Sequence, residues 1–140
     1  MIESVVKFTK SKMKDWKESN LNLIKESIAL FLLISQNCEK INKRAVAVIM
    51  PFICDKIGDV KLVNNISETI MNLSEIVTPK FMSMQVIKYC SQAKAPNTIK
   101  EGCNVLIRMT DDFGVMNMAI KEMIDYGILA ANNTNPQVRT

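Results

Sequence analysis

Apolar residues recur along this chain at helical spacing, in long segments that short polar loops separate. Between residues 62 and 77, for example, Ile66, Ile70 and Leu73 fall on one face of a helix, as in an element that packs against a core. No long run alternates apolar and polar residues, as a half-buried β-strand would. The pattern predicts an all-α chain of about seven helices. They cover residues 2–13, 20–37, 42–57, 62–77, 79–90, 98–112 and 115–131.

A polar loop rich in lysine and asparagine returns after about every 35 to 45 residues. These loops are residues 14–19, 56–61, 94–97 and 132–136. A repeated unit of two helices and a loop is typical of an α-solenoid, whose stacked repeats place equivalent loops along one edge. We therefore predict an α-solenoid with a binding surface on that edge. The final segment, 136–140, is predicted to be the first turn of a further helix, so the solenoid is interpreted as a truncated array with both ends inside repeats.

Several residues suggest where the helices begin, bend and end. Asp15 or Ser19 could cap the second helix, because both side chains accept hydrogen bonds from free backbone N–H groups. Pro51 lies inside the third helix and predicts a bend there. Gly58 follows that helix and is predicted to be its C-cap. Pro79 is predicted at the first position of the fifth helix.

Composition and charge limit the classes of function. The 140 residues are 48% hydrophobic, with four glycines and four prolines, which is enough for a core within one domain or a part of one. The formal net charge of +4 suggests an acidic partner without requiring one. A nucleic-acid-binding solenoid stays open as an alternative, but it would be more basic and would interleave aromatic residues among its basic ones. No nucleic-acid partner is therefore predicted.

The chain lacks the residue patterns of enzymes and metal sites. It contains no histidine, and its four cysteines, at positions 38, 54, 90 and 103, form no CxxC pair. We predict no catalytic activity, no cofactor and no metal, and we interpret the cysteines as small buried apolar residues of a reduced cytosolic protein. The longest apolar run, residues 27–35, is too short to span a bilayer, and no signal peptide is recognisable. A soluble intracellular protein without a membrane partner is predicted.

The loops carry the residues that point to binding. Trp16 is the single tryptophan and stands between Asp15 and Lys17 in a polar loop. It could be an exposed hot-spot side chain, or it could pack on the adjacent helix ends. Basic residues recur at or just after the successive loops, where stacked repeats would align them. They are Lys56, Lys61, Lys94, Lys100 and Arg139.

At these loops the sequence resembles a TOG domain, the tubulin-binding HEAT-repeat module of the microtubule polymerase family that includes the Mini spindles and ch-TOG proteins. The resemblance is closest to the third TOG domain of such proteins and covers nearly the whole chain in order. The segment Asp-Lys-Ile-Gly-Asp-Val-Lys at 55–61 is the most specific part, and the ending Asn-Pro-Gln-Val-Arg at 135–139 is shared by HEAT repeats generally. The other segments that carry the resemblance are residues 15–20, 64–65, 91–94 and 112–114.

The resemblance implies a single partial domain over residues 1–140, from the end of the second HEAT repeat through most of the fifth. Its loops would bind the αβ-tubulin heterodimer. Carried over by position, the tubulin-binding residues are Trp16 and Lys17 in the second loop, Lys56, Asp59 and Lys61 in the third, Lys94, Asn97 and Lys100 in the fourth, and Asn135 and Arg139 in the fifth. The sequence departs from the family in two places. The first repeat is missing with its tryptophan loop, and residues 93–97 read Ala-Lys-Ala-Pro-Asn where the family commonly has Gln-Lys-Asn-Pro-Lys.

The function that the resemblance implies is non-enzymatic. Such a module binds tubulin for a microtubule-associated protein that promotes plus-end growth and spindle assembly. Its expected location is the cytoplasm and cytoskeleton, at microtubules, the spindle, and the centrosome or spindle pole. The alternative is a HEAT-repeat scaffold whose loops bind another acidic protein.

Overall fold

The computed structural model describes residues 2–133 and 135–139, with only the backbone described for Gln137 and Arg139. This part of the chain is helical and contains no strand, which confirms the all-α prediction. The helices are α1 (Ile2–Lys12), α2 (Leu21–Asn37), α3 (Lys43–Lys56), α4 (Val63–Ile76), α5 (Pro79–Cys90), α6 (Pro96–Phe113), α7 (Ile120–Ala131) and α8 (Pro136–Arg139), with a 3₁₀ turn at Val115–Asn117.

Side-chain caps define three of the helix starts. The Asn20 side chain accepts hydrogen bonds from the backbone N–H groups of Asn22 and Leu23, at 3.0 and 3.3 Å. The cap of α2 is therefore Asn20, because only this residue places its side-chain oxygen over the free N–H groups of the first turn. Asn42 caps α3 and Thr78 caps α5 in the same way. Pro79 occupies the first turn of α5, as predicted.

Two predicted boundaries are wrong. Gly114 has φ +85° and ends α6, and a 3₁₀ turn follows, so α7 begins at Ile120 and not at Val115. Gly58 does not cap α3 in the left-handed conformation, since Gly114 is the glycine with positive φ among the described residues. Gly58 instead permits a close approach. A Cβ atom there would lie 2.8 Å from the Thr98 hydroxyl.

The helices form two layers, as in a HEAT-type solenoid. Helices α1, α3, α5 and α7 pack side by side in chain order, and so do α2, α4, α6 and α8. The core lies between the layers and includes the fully buried Phe31, Phe52, Ile70, Met82 and Met109. α3 continues through Pro51.

Some large apolar residues lie outside the core. Met84 and Met116, for example, are 44% and 83% exposed. The four cysteines are free thiols, but only Cys54 and Cys90 are buried, whereas Cys38 and Cys103 are half-buried. A hydrogen bond with Cys90, together with burial, raises the pKa of the Cys54 thiol, and burial raises that of Cys103. Raised thiol pKa values leave few reactive thiolates at neutral pH.

A close contact between α5, α6 and α7 depends on Gly102. The buried Tyr126 hydroxyl donates a 2.7 Å hydrogen bond to the carbonyl of Ile99, and burial raises the pKa of Tyr126. A Cβ atom on Gly102 would lie 2.6 Å from that hydroxyl and 2.8 Å from the Cβ atom of Cys90. Three helices can therefore meet here only because residue 102 has no side chain.

We predict opposite effects for alanine at two helical glycines. Gly102→Ala should lower the free energy of unfolding by about 1–3 kcal/mol, because the added methyl group overpacks the contact with Tyr126. The matched variant Gly127→Ala in α7 meets no atom within 4 Å and should raise it by about 0.5–1 kcal/mol through helix propensity. Urea unfolding followed by circular dichroism measures both values. Equal effects of the two variants would contradict the close contact.

Candidate functional site

The loops that follow α1, α3, α5 and α7 lie on one edge of the solenoid. Helices in the same layer run parallel, so the connections from the first layer to the second fall at the same end of each repeat. We call this surface the loop edge and define it by its second loop (14–20), third loop (56–62), fourth loop (91–97) and fifth loop (132–135), the last without residue 134, which lies outside the described part of the chain.

The second loop has a strained backbone. Lys14, Asp15 and Trp16 have φ values of +53°, +54° and +69°, in the left-handed region. Such a conformation costs a residue other than glycine about 1–2 kcal/mol. Backbone bonds from Asp15 N–H to the carbonyl of Lys10 and from Glu18 N–H to that of Met13, at 3.0 and 3.1 Å, close the turn.

The Trp16 side chain is half-buried and points back onto α3, not into solvent. Its indole N–H donates a 3.0 Å hydrogen bond to the carbonyl of Val48. The ring stacks on Phe52 with 4.9 Å between centroids and meets Phe31 edge-on at 6.1 Å. Of the two interpretations of the sequence, packing on a neighbouring helix is the one that the structure shows. Pro51 lacks the N–H that would bond the carbonyl of Ala47, one residue from the indole's acceptor.

Glu18 holds the end of the second loop. Its carboxylate accepts hydrogen bonds from the N–H groups of Ser19 and Asn20, both at 2.9 Å, and pairs with Lys14 at 3.4 Å. The bond from the Asn20 N–H is the main cause that lowers the pKa of Glu18. Lys17, next to Trp16, is exposed and makes no ion pair in the described structure.

The third loop is a compact turn around Asp59. One carboxylate oxygen of Asp59 accepts the N–H of Lys61 at 2.8 Å, and its carbonyl accepts the N–H of Val63 at 2.9 Å. Asp59 therefore shapes the turn and leaves the Lys61 side chain exposed. Lys56 is half-buried and lies 3.3 Å from the carboxylate of Asp55.

A hydrogen bond joins the third and fourth loops. The side-chain amide of Asn97 donates to the carbonyl of Gly58. The missing side chain of Gly58 allows this approach, since the backbone N of Thr98 would lie 3.0 Å from a Cβ atom there. Lys94 is exposed in the fourth loop, and Lys100 is half-buried one turn into α6.

The fifth loop is described in part. Asn135 is half-buried, and its carbonyl accepts the N–H of Val138 at 3.1 Å, which starts α8 as the sequence predicts. The side chain of Arg139 lies outside the described residues. Within the described ranges the loop edge thus exposes three lysines that make no ion pair, which are Lys17, Lys61 and Lys94.

The described residues show no sign of a metal site or a membrane span. No group of three or more cysteine, aspartate or glutamate side chains in these ranges could hold a metal ion. None of the helices that could be searched has the length and apolar character needed to cross a bilayer. The described loop edge offers exposed lysine side chains and backbone groups, with the carboxylate of Asp15 and the amide of Gln92 among them.

The chain is similar to several known proteins, although no protein-family model matches it. It is 25% identical to Protein MOR1 of Arabidopsis thaliana over 111 residues, which is 79% of this chain and 6% of that protein. It is 25% identical to Centrosomal protein 224 of Dictyostelium discoideum over 99% of its length and 7% of that protein. Among solved structures it matches Drosophila melanogaster Mini spindles TOG3 with a TM-score of 0.85 and 19% identity, covering 99% of this chain and 60% of the other.

Two layers of paired helices with aligned loops place the chain among HEAT-type α-solenoids. The match to Mini spindles TOG3 narrows the assignment of the fold within this class. The chain has the fold of a TOG domain, as its resemblance to that family predicts. It spans less than a tenth of the length of the MOR1 and centrosomal relatives.

The sequence did not reveal the contacts that fix the loops. Neither the acceptor of the Trp16 indole, Val48, nor the acceptor of the Asn97 amide, Gly58, was among the candidates. Pro51 was no signal for the first contact, because the donor that it lacks would bond the carbonyl of Ala47 and not that of Val48. A usable signal for the second contact was that Gly58 lies in one polar loop and Asn97 in the polar loop of the next repeat.

We predict that glycine stabilises the second loop. Asp15→Gly removes the left-handed strain and should raise the free energy of unfolding by about 0.5 kcal/mol, after the entropy of glycine in the unfolded chain is subtracted. The control, Lys7→Gly inside α1, should lower it by about 0.5–1 kcal/mol. Urea unfolding compares the two, and a destabilised Asp15→Gly variant would contradict positive φ at this position.

We also predict that Glu18 makes stability depend on pH. Its pKa in the folded chain lies below the ordinary value of 4.5, so its contribution is present above pH 4.5 and is lost as the pH falls through the folded pKa. Glu18→Gln should be less stable than the original chain at pH 7, and this difference should shrink below pH 4.5. Urea unfolding at several pH values tests this, with Glu26→Gln as the control for the loss of one charge. A difference that persists unchanged at pH 3 would refute the prediction.

Proposed function

We propose that this chain is a non-enzymatic tubulin-binding module whose loop edge docks on the αβ-tubulin heterodimer. The observation that carries the proposal is that successive repeats of a TOG fold expose basic side chains on one edge. Lys17, Lys61 and Lys94 come from three neighbouring loops and make no ion pair in the described structure. Tubulin is the acidic partner that the resemblance implies.

The electrostatics of the loop edge support binding to an acidic protein. Exposed lysines are hydrated and cost little to leave unpaired, but they attract an acidic surface and orient it during approach. Lys56, which pairs with Asp55, and Lys100, at the start of α6, are half-buried beside the three exposed lysines. We therefore expect association that weakens as salt is added.

We assign all ten residues predicted from the sequence to this site, in two groups. The basic residues are proposed to contact tubulin, and Trp16, Asp59, Asn97 and Asn135 are proposed to shape the loops from which the contacts are made. Supporting this division, Asp59 and Asn97 bond backbone groups of the third loop. The basic residues are Lys17, Lys56, Lys61, Lys94, Lys100 and Arg139.

We extend the proposal to the repeats and to the longer protein that such a module serves. Residues 1–140 are assigned to the end of the second repeat through most of the fifth, which is supported by the coverage of 60% of the Mini spindles TOG3 chain. The names of that protein and of Centrosomal protein 224 support action at the spindle and the centrosome. From the resemblance we extend the proposal to microtubule plus ends, in the cytoplasm and cytoskeleton.

The double variant Lys56→Ala/Lys61→Ala should weaken tubulin binding by about 1–2 kcal/mol, or five- to thirtyfold, since each of the two lysines contributes a fraction of this amount. The variant should also show a smaller dependence of affinity on salt. Size-exclusion chromatography with soluble αβ-tubulin at low and moderate salt detects the complex, and a titration gives the affinity. Circular dichroism checks that helicity is unchanged.

The matched control is Lys40→Ala/Lys80→Ala. Both lysines are exposed on the edge opposite the loop edge, one before α3 and one in the first turn of α5. This variant loses the same charge and should bind as the original chain does. Equal weakening by both double variants would show an unspecific charge effect. No binding by the folded original chain would instead favour the alternative, a HEAT-repeat scaffold for another acidic protein.

A further inference from the structure

Trp16 and Asn97 share a property that the lysines of the loop edge lack. Each crosses from its own repeat to the neighbouring repeat of α3 and α4 and bonds a backbone carbonyl there. The Trp16 indole reaches Val48 in α3 at 3.0 Å, and the Asn97 amide reaches Gly58 in the third loop. The repeat of α3 and α4, which carries the third loop, therefore receives two cross-repeat bonds, one from each neighbouring repeat.

We infer that Trp16 and Asn97 are positioning residues, which fix the second, third and fourth loops relative to one another before any partner arrives. This inference rests on the proposed function for its consequence in binding, but its structural part can be tested without a partner. Loops that are already ordered lose less conformational entropy on binding. The lysines that they carry are then presented at a fixed spacing.

The second loop shows why such a restraint is needed. Three successive residues with positive φ would relax in a free peptide, because the left-handed conformation is unfavourable for each of them. Trp16 is the last of the three, and its ring is held by Phe52, Phe31 and the carbonyl of Val48. The strain is thus offset by contacts of the same residue that ends the turn, and Lys17 follows directly.

The third and fourth loops are joined by a different restraint. Gly58 offers its carbonyl at a place where no side chain separates it from the start of α6. Asn97 is an exposed residue, and one of the two N–H groups of its side-chain amide donates to this carbonyl. A partner would have to compete with this bond only for that N–H group.

The test begins with the free chain. Trp16→Phe keeps an aromatic ring but removes the N–H donor, and Asn97→Ala removes the amide. Amide hydrogen exchange should rise at Lys17 and Glu18 in the first variant, and at Asp59 and Lys61 in the second, because these N–H groups close the two loops. The controls Tyr89→Phe on α5 and Asn104→Ala on α6 should leave all four amides unchanged.

Binding to αβ-tubulin is then measured for the same variants. We expect each positioning variant to bind about three- to tenfold more weakly, the loss that corresponds to one hydrogen bond. Trp16 is the single tryptophan, so 5-fluorotryptophan labelling gives one ¹⁹F resonance for it. That resonance should keep its chemical shift when tubulin is added, because the indole faces α3.

The outcomes separate this inference from the proposed function. Unchanged hydrogen exchange in both variants overturns the inference, whatever tubulin does. A large shift of the fluorine resonance on complex formation overturns it for Trp16 and makes that residue a direct contact. Faster exchange with unaltered affinity shows that loop order does not matter for binding and overturns the positioning role. If the original chain does not bind tubulin, the proposed function fails, while the exchange result still decides whether the two residues order the loops.

Discussion

The contact on which the described structure most depends is the packing of Trp16 against α3. Its ring lies against Phe52 and Phe31, which are themselves within 6.2 Å of each other, so three aromatic side chains close the core between the first and second layers. The same indole supplies a donor to the carbonyl of Val48. Trp16 thus belongs to the core through its ring and to the loop edge through its backbone.

This double role changes how the loop edge is understood. Aromatic and basic residues in a polar loop are usually taken together as contact residues, as in a hot spot. Here the aromatic residue is half-buried and the lysines are exposed. Under the proposed function, the contact surface would therefore be mainly electrostatic, and its affinity would depend on charge spacing more than on buried apolar area. The hydrogen bond from the Asn97 amide to Gly58 would affect the spacing of the lysine charges and not the amount of charge.

Much of the fold could be predicted from the sequence, since helical periodicity is set by local spacing that a solenoid preserves repeat by repeat. The helix order and the recurrence of the loops follow from it directly. The start of α7 could not be predicted, because the 3₁₀ turn after Gly114 depends on that glycine's positive φ and on a hydrogen bond from Ala119 N–H to the Ser83 hydroxyl, two helices away. The predicted cap of α2, Asp15 or Ser19, was wrong. The side chains of these residues suit a cap as well as that of Asn20 does, so the sequence could not distinguish them.

The candidate site was predictable in its charges but not in its geometry. Lysines are recognised by type, and their loops by recurrence, so the basic part of the site needed no tertiary information. The left-handed turn at Lys14 to Trp16 contains no glycine from which it could be predicted. It is stable because contacts with a different repeat hold it in place. Backbone strain of this kind persists where surrounding contacts offset it. A strained loop without glycine is therefore itself evidence that the loop is held in place, and in this chain the residue that holds it is the one that precedes Lys17.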